Sequence, residues 1–180
     1  MLDQIFTKKN VEILCLLKER DLHLREIASK LNCSVGKVHS ASKLFQKYNL
    51  VKKERQKNIR VYSLNRSNSL LKQIISLINL SRLLKAKYFK KLLKEGQLGI
   101  YGSFANGTDD NKSDIDLWLF TDKQLLTLHP LINGLENEFN KAVNLLILNK
   151  KKLNALKQQD YEFYIRLKLT SIQLGGDIFD

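Results

Sequence analysis

The chain has 180 residues, 43% of them hydrophobic, and a net charge of +13. This length allows one mid-sized domain or two small ones, and the apolar fraction excludes a disordered chain. No apolar run approaches the roughly 20 residues of a membrane-spanning helix, and the N-terminus lacks a signal-peptide layout, so we expect a cytoplasmic protein without a membrane partner.

The charge is unevenly distributed along the chain. Residues 1–66 hold 15 basic and 6 acidic residues, residues 67–95 hold 7 and 1, and residues 96–180 hold 9 and 11. A basic N-terminal part followed by a slightly acidic C-terminal part predicts a polyanion-binding module joined to a second module. The alternative is a soluble, lysine-rich surface without a binding role.

The N-terminal part predicts three helices followed by a hairpin. Apolar residues recur at helical spacing over residues 3–20 and 22–31, and Ser34 is suited to cap a third helix. After Asn49 the apolar period changes to two, which predicts strand, polar turn and strand over residues 50–64.

This helix order, the short turn and the basic hairpin resemble the winged helix-turn-helix modules of many prokaryotic regulators. In such modules the second helix of the pair enters the major groove of double-stranded DNA, and the wing follows the backbone. The resemblance implies a DNA-binding face on the third helix and the wing. Its residues are Lys37, His39, Ser40, Lys43 and Lys47 on the helix, and Lys53, Arg55, Lys57 and Arg60 on the wing. The alternative is a small helical domain for dimerisation, and such modules often pair, so a homodimer is one expected assembly.

Residues 69–95 lack proline and glycine and keep a helical apolar pattern up to Gly96. They predict one long helix, within a connecting segment over 67–95, that joins a domain over 1–66 to a domain over 96–180. Its second half carries a lysine cluster, which is either a solvated face or a surface that binds DNA or an acidic partner.

Beyond Gly96 the pattern becomes mixed. The segments "LGIYG", "DIDLWLF" and "AVNLLIL" predict strands, and helices are predicted near residues 128–140 and 153–173. The C-terminal domain is therefore expected to be an α/β domain with a small mixed sheet. The whole chain falls in the α+β class.

Two aspartates, Asp114 and Asp116, alternate with apolar residues in the second of these strands. Residues i and i+2 of a strand point to the same side, so we expect the two carboxylates to project together. A cation relieves the repulsion between them, and oxygen ligands favour Mg²⁺, which binds together with substrate phosphates. Upstream, Gly102 allows close approach of a ligand and Ser103 opens a predicted helix, an arrangement suited to binding an anion.

The stretch "YGSFANGTDDNKSDIDLWLF" resembles the signature of the DNA polymerase beta nucleotidyltransferase superfamily, with the minimal prokaryotic nucleotidyltransferases as the nearest group. The resemblance runs from about Leu98 to the C-terminus. It implies transfer of a nucleoside monophosphate from an NTP, with ATP as the expected donor and Mg²⁺ or Mn²⁺ as the metal. Gly102 and Ser103 match the phosphate-binding turn, and Asp114 and Asp116 match the paired metal ligands.

One position departs from the family pattern. The family carries a third carboxylate on a later strand, where it helps to activate the attacking hydroxyl, and the matching position here holds Asn144. An amide offers an oxygen to a metal but bears no charge and accepts no proton. The catalytic positions are therefore Asp114, Asp116 and Asn144. The amide at position 144 leaves two alternatives, catalysis or nucleotide binding without catalysis.

Other acidic residues have no motif to support a catalytic role. The acids that could substitute for the third carboxylate are Glu136, Glu138, Asp160 and Glu162. The loop acids Asp109 and Asp110 are expected to be solvated or near the ligand. Asn106 stands where the family commonly has an arginine, which removes one phosphate contact.

Three functions follow as hypotheses. The first is a nucleotidyltransferase held near nucleic acid by its winged helix. The second is a DNA-binding regulator whose transferase fold binds nucleotide without turnover. The third is an antitoxin-like partner of a separate helical toxin, since the minimal transferases of such two-component modules are similar in size. The intact glycine, serine and aspartate pair favour the first, and Asn144 favours the second.

Overall fold

The computed structural model describes residues 2–56 and 58–179. The chain divides into two compact units, Met1–Lys72 and Gln73–Asp180. Across the described residues, no helix combines the length and apolar character needed to cross a membrane.

Helices dominate the first unit, and each of the three longer ones begins at a side-chain cap. Thr7, His23 and Ser34 each accept a hydrogen bond from a backbone N–H in the first turn of the following helix. The Ser34 cap is the one that the sequence predicted. The four helices are α1 (Leu2–Ile5), α2 (Lys8–Glu19), α3 (Leu24–Lys30) and α4 (Val35–Lys47).

A small antiparallel sheet completes the first unit. Its strands are β1 (Leu22–His23), β2 (Val51–Gln56) and β3 (Ile59–Leu64), in the order β1-β3-β2. The predicted hairpin corresponds to β2 and β3, whereas β1 is too short to produce a periodic signal. Its Leu22 lies opposite Tyr62, and both are buried. The winged helix-turn-helix assignment itself stays a prediction.

The long helix predicted over residues 69–95 is instead two helices, α5 (Ser69–Lys85) and α6 (Lys87–Leu92). Ala86 between them has the extended angles φ −65° and ψ 135°. The physical reason lies in the second unit, where the Glu138 carboxylate accepts hydrogen bonds from the N–H groups of Lys87 and Tyr88 at 3.1 and 3.4 Å. This carboxylate caps a new helix that the local sequence does not signal.

The second unit is built on a mixed four-stranded sheet, of which the sequence predicted three strands. Its strands are β4 (Gln97–Tyr101), β5 (Ile115–Phe120), β6 (Val143–Leu148) and β7 (Ile172–Leu174), in the order β6-β5-β4-β7. β5 and β6 are parallel, and β4 is antiparallel to both of its neighbours. Strand β7 falls partly where the sequence predicted a helix.

Helices cover both faces of this sheet. They are α7 (Gly102–Asn106), α8 (Leu125–Phe139), α9 (Lys150–Gln159) and α10 (Tyr161–Thr170). The helix predicted over residues 153–173 is thus divided, because Asp160 takes up non-helical angles and caps α10. Ile115, Leu117 and Leu119 of β5 share a core with α8, whereas Trp118 packs with α9 and α10 on the opposite face.

Gly99 makes room for the largest buried side chain. It lies directly opposite Trp118, and a Cβ atom at Gly99 would stand 2.1 Å from the indole ring. We expect Gly99→Ala to lower the free energy of unfolding by about 1–3 kcal/mol, because the ring must shift within a packed core. Urea denaturation measures this change.

The control is Gly36→Ala in α4, where an added Cβ meets no atom within 4 Å. Since alanine favours a helix over glycine, this substitution is expected to stabilise its unit by about 0.5–1 kcal/mol. Equal unfolding free energies for wild type and Gly99→Ala would show that Trp118 is not tightly packed.

Candidate functional site

Three neighbouring strands bring polar residues together at one end of the sheet of the second unit. Tyr101 lies opposite Asp116, and Asp116 lies opposite Asn144, so the three residues form one row across β4, β5 and β6. Asp114 directly precedes β5. The residues that the sequence picked out from three separate segments therefore meet at one place.

The two aspartates converge on a single amide group. The Asn144 Nδ2 donates hydrogen bonds to Asp114 Oδ2 at 3.2 Å and to Asp116 Oδ1 at 3.0 Å. The carboxylates therefore face the same space, as the i, i+2 spacing predicts. Asn144 occupies the position across from Asp116 on the later strand, which is where the resemblance placed the third catalytic residue.

The turn after β4 packs against Asp116. Gly102 has φ +68°, and a Cβ atom there would lie 2.2 Å from Asp116 Oδ2. Both the backbone angle and the close approach exclude a larger residue at this position. Ser103 follows in the first turn of α7 and is half-buried. Gly102 therefore brings the turn into direct contact with the Asp116 carboxylate.

The loop that leads to Asp114 is anchored at its start by a buried polar pair. The Asn79 amide of α5 donates to Asp109 Oδ1 at 2.8 Å and to the carbonyl oxygen of Phe104 at 2.9 Å. Asp109 is only 1% exposed. The expectation that Asp109 is solvated is therefore wrong, because this acid is buried and ties the loop to Asn79.

The end of the same loop is held by Lys141, a residue that the sequence did not single out. Its ammonium group donates to the carbonyl oxygens of Asp110 and Ser113 at 2.6 and 2.7 Å. The Asp110 side chain accepts hydrogen bonds from the backbone N–H groups of Lys112 and Ser113. Asp110 thus closes its own turn. A lone lysine beyond a helix end carries no sequence signal for this role.

The pair of carboxylates fits a hard divalent cation. Both aspartates offer oxygen ligands, and one amide group reaches both, so a cation in this space would neutralise both charges. Across the described residues, no cluster of three or more His, Cys, Asp or Glu side chains has the geometry to hold a metal. A two-carboxylate site suits Mg²⁺, which keeps waters and takes phosphate oxygens as further ligands.

Asp116 also acts on its neighbour in β4. Burial raises the pKa of the Tyr101 phenol, and the negative charge of Asp116 raises it further. The Tyr101 ring packs edge-on against Phe163 of α10 at a centroid distance of 6.1 Å. Tyr101 is therefore held neutral beside the carboxylates.

The raised pKa of Tyr101 predicts a pH dependence of stability. The folded state favours the neutral phenol over the phenolate, and this preference contributes to the unfolding free energy. The contribution is fully present below about pH 10, the pKa of the tyrosine in the unfolded chain, and it is lost as the pH rises through the higher pKa in the folded protein. Above about pH 10, the unfolding free energy of the wild type should therefore fall more steeply than that of Tyr101→Phe. Asp116→Asn should give an intermediate slope, because it removes only the charge. Chemical denaturation at several pH values measures the slopes, and identical slopes would contradict the assignment.

A cavity of about 410 Å³ opens along β6 and α8. Tyr101 and Asn144 border it from the sheet, and His129, Asn133 and Glu136 border it from α8. The Glu136 Oε1 accepts a hydrogen bond from the N–H of Val143, the residue before Asn144, at 3.0 Å. Glu136 belongs to α8, which packs on the face of the sheet opposite to Trp118, whereas Asp116 and Asn144 share the Trp118 face.

The first unit presents a separate basic surface. All five predicted DNA-facing residues of α4, namely Lys37, His39, Ser40, Lys43 and Lys47, are exposed. On the hairpin, Lys53, Arg55 and Arg60 are also exposed, whereas Lys57 lies outside the described residues. Arg55 and Arg60 stand directly opposite each other on β2 and β3. A cavity of about 660 Å³ between the hairpin and the starts of α3 and α4 is lined by Arg55, Arg60 and Arg25, the last of which the sequence did not indicate.

A comparison with known families agrees with the geometry of the second unit. Residues 85–162 match the family described as "Polymerase beta, Nucleotidyltransferase". The matched segment lies within the second unit and includes the glycine turn, both aspartates and Asn144. The fold and the match together support a nucleotidyltransferase-type domain of the DNA polymerase beta superfamily over these residues. No curated protein matches the chain significantly.

Proposed function

We propose that the second unit is a Mg²⁺-dependent nucleotidyltransferase, which transfers a nucleoside monophosphate from an NTP to an acceptor and releases pyrophosphate. The observation that carries this proposal is the convergence of Asp114 and Asp116 on one point beside the Gly102 turn. Paired carboxylates next to a phosphate-accessible turn are the arrangement that a metal-bound triphosphate requires. ATP is the proposed donor, as the family resemblance implies.

Each residue of the site has a proposed part in the reaction. Asp114 and Asp116 would hold the metal, which supplies neutralisation of the charge on the phosphate oxygens when bound. Gly102 leaves the backbone of the turn open to phosphate oxygens, and the Ser103 hydroxyl is a donor for one of them. Asn144 orients both carboxylates through its amide but cannot take up a proton.

The position of the radioactive label tests the reaction class. The full-length protein is incubated with Mg²⁺, a cell lysate as the acceptor source, and ATP labelled on either the α- or the γ-phosphate. Nucleotidyl transfer places the α-label on an acceptor and leaves the γ-label in pyrophosphate. Transfer of the γ-label would indicate a phosphotransferase instead, and transfer of neither label would remove the enzyme proposal.

A second candidate function is a nucleotide sensor, and Asn144 is the observation that favours it. An amide nitrogen faces both carboxylates, at the position where the family pattern has a third acid. Such a protein would bind Mg²⁺·ATP saturably, transfer no label, and change its affinity for DNA when nucleotide is bound. Equilibrium binding of ATP combined with the label assay separates this function from catalysis.

We further propose that the first unit binds double-stranded DNA through α4 and the hairpin. The exposed basic side chains of α4 and the hairpin, with Arg55 and Arg60 opposite each other on β2 and β3, support this proposal, because Lys and Arg are the side chains that contact DNA phosphates. Contacts with phosphates release counterions, so the affinity should fall steeply as the salt concentration rises.

The salt dependence yields a quantitative test of these two arginines. We expect Arg55→Ala/Arg60→Ala to reduce the slope of log K against log salt by about 2, since each lost phosphate contact removes about 0.9. Fluorescence anisotropy with a labelled duplex measures the slope. The control is Lys150→Ala/Lys151→Ala on α9 of the second unit, which removes the same charge. Equal slopes for the two double variants would exclude the arginines as phosphate contacts.

A further inference from the structure

The two carboxylates of the proposed metal site are held in different ways. Asp116 lies within β5, where it pairs with Tyr101 on one side and with Asn144 on the other. Asp114 directly precedes β5, so its backbone lies outside the paired residues of the strand. The position of Asp114 therefore depends on the loop that leads into β5.

The last part of this loop is a turn that closes on itself. The Asp110 Oδ1 accepts hydrogen bonds at 2.9 Å from the N–H of Lys112, from the N–H of Ser113 and from the Ser113 hydroxyl. The Ser113 Oγ in turn accepts from the Asp110 N–H at 3.0 Å. These hydrogen bonds join the first and the last residue of the turn, so a group that holds the turn also holds the next residue, Asp114.

Lys141 binds this turn at both of its ends. Its half-buried ammonium group donates to the carbonyl oxygens of the first and the last residue of the turn, at 2.6 and 2.7 Å. The carbonyl oxygen of the next residue, Ala142, accepts a hydrogen bond from the N–H of Ile115 at 2.9 Å. Asp114 therefore stands between two peptide groups that are both anchored on the segment leading into β6.

We infer that Lys141 is a positioning residue for the proposed metal site, because it holds the Asp114 carboxylate beside that of Asp116 by fixing the turn. This inference rests on the proposed nucleotidyltransferase function, which supplies the metal. The two carboxylates lie close enough for the amide group of Asn144 to reach both, and a shift of the turn would separate them. Lys141 acts through the Ser113 carbonyl group, which directly precedes Asp114.

The positive charge of Lys141 by itself would have the opposite effect on metal binding. A cationic side chain near a metal site repels the metal, so a purely electrostatic role means that removing the ammonium group raises the affinity for Mg²⁺. A positioning role means that removing it lowers this affinity, because one of the two charged ligands is displaced. The sign of the change therefore separates the two roles.

The test is Lys141→Met, which removes the ammonium group and keeps an unbranched side chain. We expect the affinity for Mg²⁺, titrated calorimetrically in the presence of a non-hydrolysable ATP analogue, to fall by about 10- to 100-fold, as is typical when a residue that orients metal ligands is lost. In the metal-free protein, the backbone amide NMR resonances of Asp114 and Ile115 should shift. The resonance of Leu119, at the other end of β5, should stay unchanged.

The matched control is Lys168→Met in α10. Lys168 is also half-buried, and its ammonium group donates to a backbone carbonyl oxygen, that of Phe179, at 3.1 Å. This variant loses the same charge and the same kind of hydrogen bond as Lys141→Met. Its Mg²⁺ affinity should match that of the wild type, because Lys168 does not hold the turn before Asp114.

A milder substitution covers the case in which Lys141→Met does not fold. Lys141→Gln keeps an amide donor for one of the two carbonyl groups, so it should show a smaller loss of Mg²⁺ affinity. Unchanged or raised affinity in a folded Lys141 variant, or an equal loss in Lys168→Met, would overturn the inference and leave the proposed function standing. If the wild type itself binds no Mg²⁺ with the ATP analogue, the proposed function fails and the inference fails with it.

Discussion

Replacing Asp116 with asparagine is expected to reduce the transfer of α-label by roughly a thousandfold. Asp116 lies in the middle strand of the row, touches the Gly102 turn, and shares the Asn144 amide with Asp114. The substitution keeps the size of the side chain but removes half of the charge that would hold the metal. A metal ion contributes several kcal/mol to stabilising phosphoryl-transfer transition states, and each 1.4 kcal/mol is about a tenfold change in rate.

A thermal-shift experiment separates lost metal binding from lost folding. Added Mg²⁺·ATP should raise the melting temperature of the wild type, because a ligand that binds only the folded state stabilises it. Asp116→Asn should melt normally without ligand and show little or no shift with it. The control is Asp122→Asn, which alters an exposed aspartate just beyond the other end of β5 and should retain both transfer and shift. Full activity in Asp116→Asn would remove the basis of the proposed site.

The second large effect is expected from Asn144→Asp. A carboxylate opposite Asp116 adds a third negative oxygen ligand to the proposed metal site, and cation affinity rises with the number of charged ligands. We expect the Mg²⁺ affinity to increase about tenfold or more, and transfer at low Mg²⁺ to increase in proportion. Isothermal titration with Mg²⁺ and a non-hydrolysable ATP analogue measures the affinity.

The same substitution should destabilise the protein when no metal is present. It removes two hydrogen bonds to Asp114 and Asp116 and replaces them with repulsion between carboxylates. Because residue 144 is exposed, solvent screens the effect, and the expected loss is about 1 kcal/mol of unfolding free energy. Added Mg²⁺ should reverse this loss.

The control for Asn144→Asp is Asn149→Asp at the start of α9. Asn149 caps the helix by accepting from the Lys152 N–H at 2.9 Å, and an aspartate can do the same. This variant adds an equal charge beyond the opposite end of β6, so its Mg²⁺ affinity should match the wild type. Equal affinities in Asn144→Asp and the wild type would show that residue 144 does not face the metal.

Local patterns in the sequence were sufficient to predict the elements that position the site. Alternating apolar residues identified β5, and the i, i+2 spacing placed Asp114 and Asp116 on one side of it, because this geometry is a property of any strand. Gly102 was predictable for a similar local reason. A turn that packs directly against a neighbouring side chain leaves no room for a Cβ atom, so glycine is expected there. Ser34 signalled the start of α4 through its own capping hydrogen bond.

Tertiary contacts decided the features that the sequence did not signal. The break between α5 and α6 depends on Glu138, which is about 50 residues away along the chain. The burial of Asp109 depends on Asn79, and the anchoring of the loop before Asp114 depends on Lys141. Hydrogen bonds between residues that are distant along the chain produce no signal in the local sequence pattern, so these assignments required the tertiary structure.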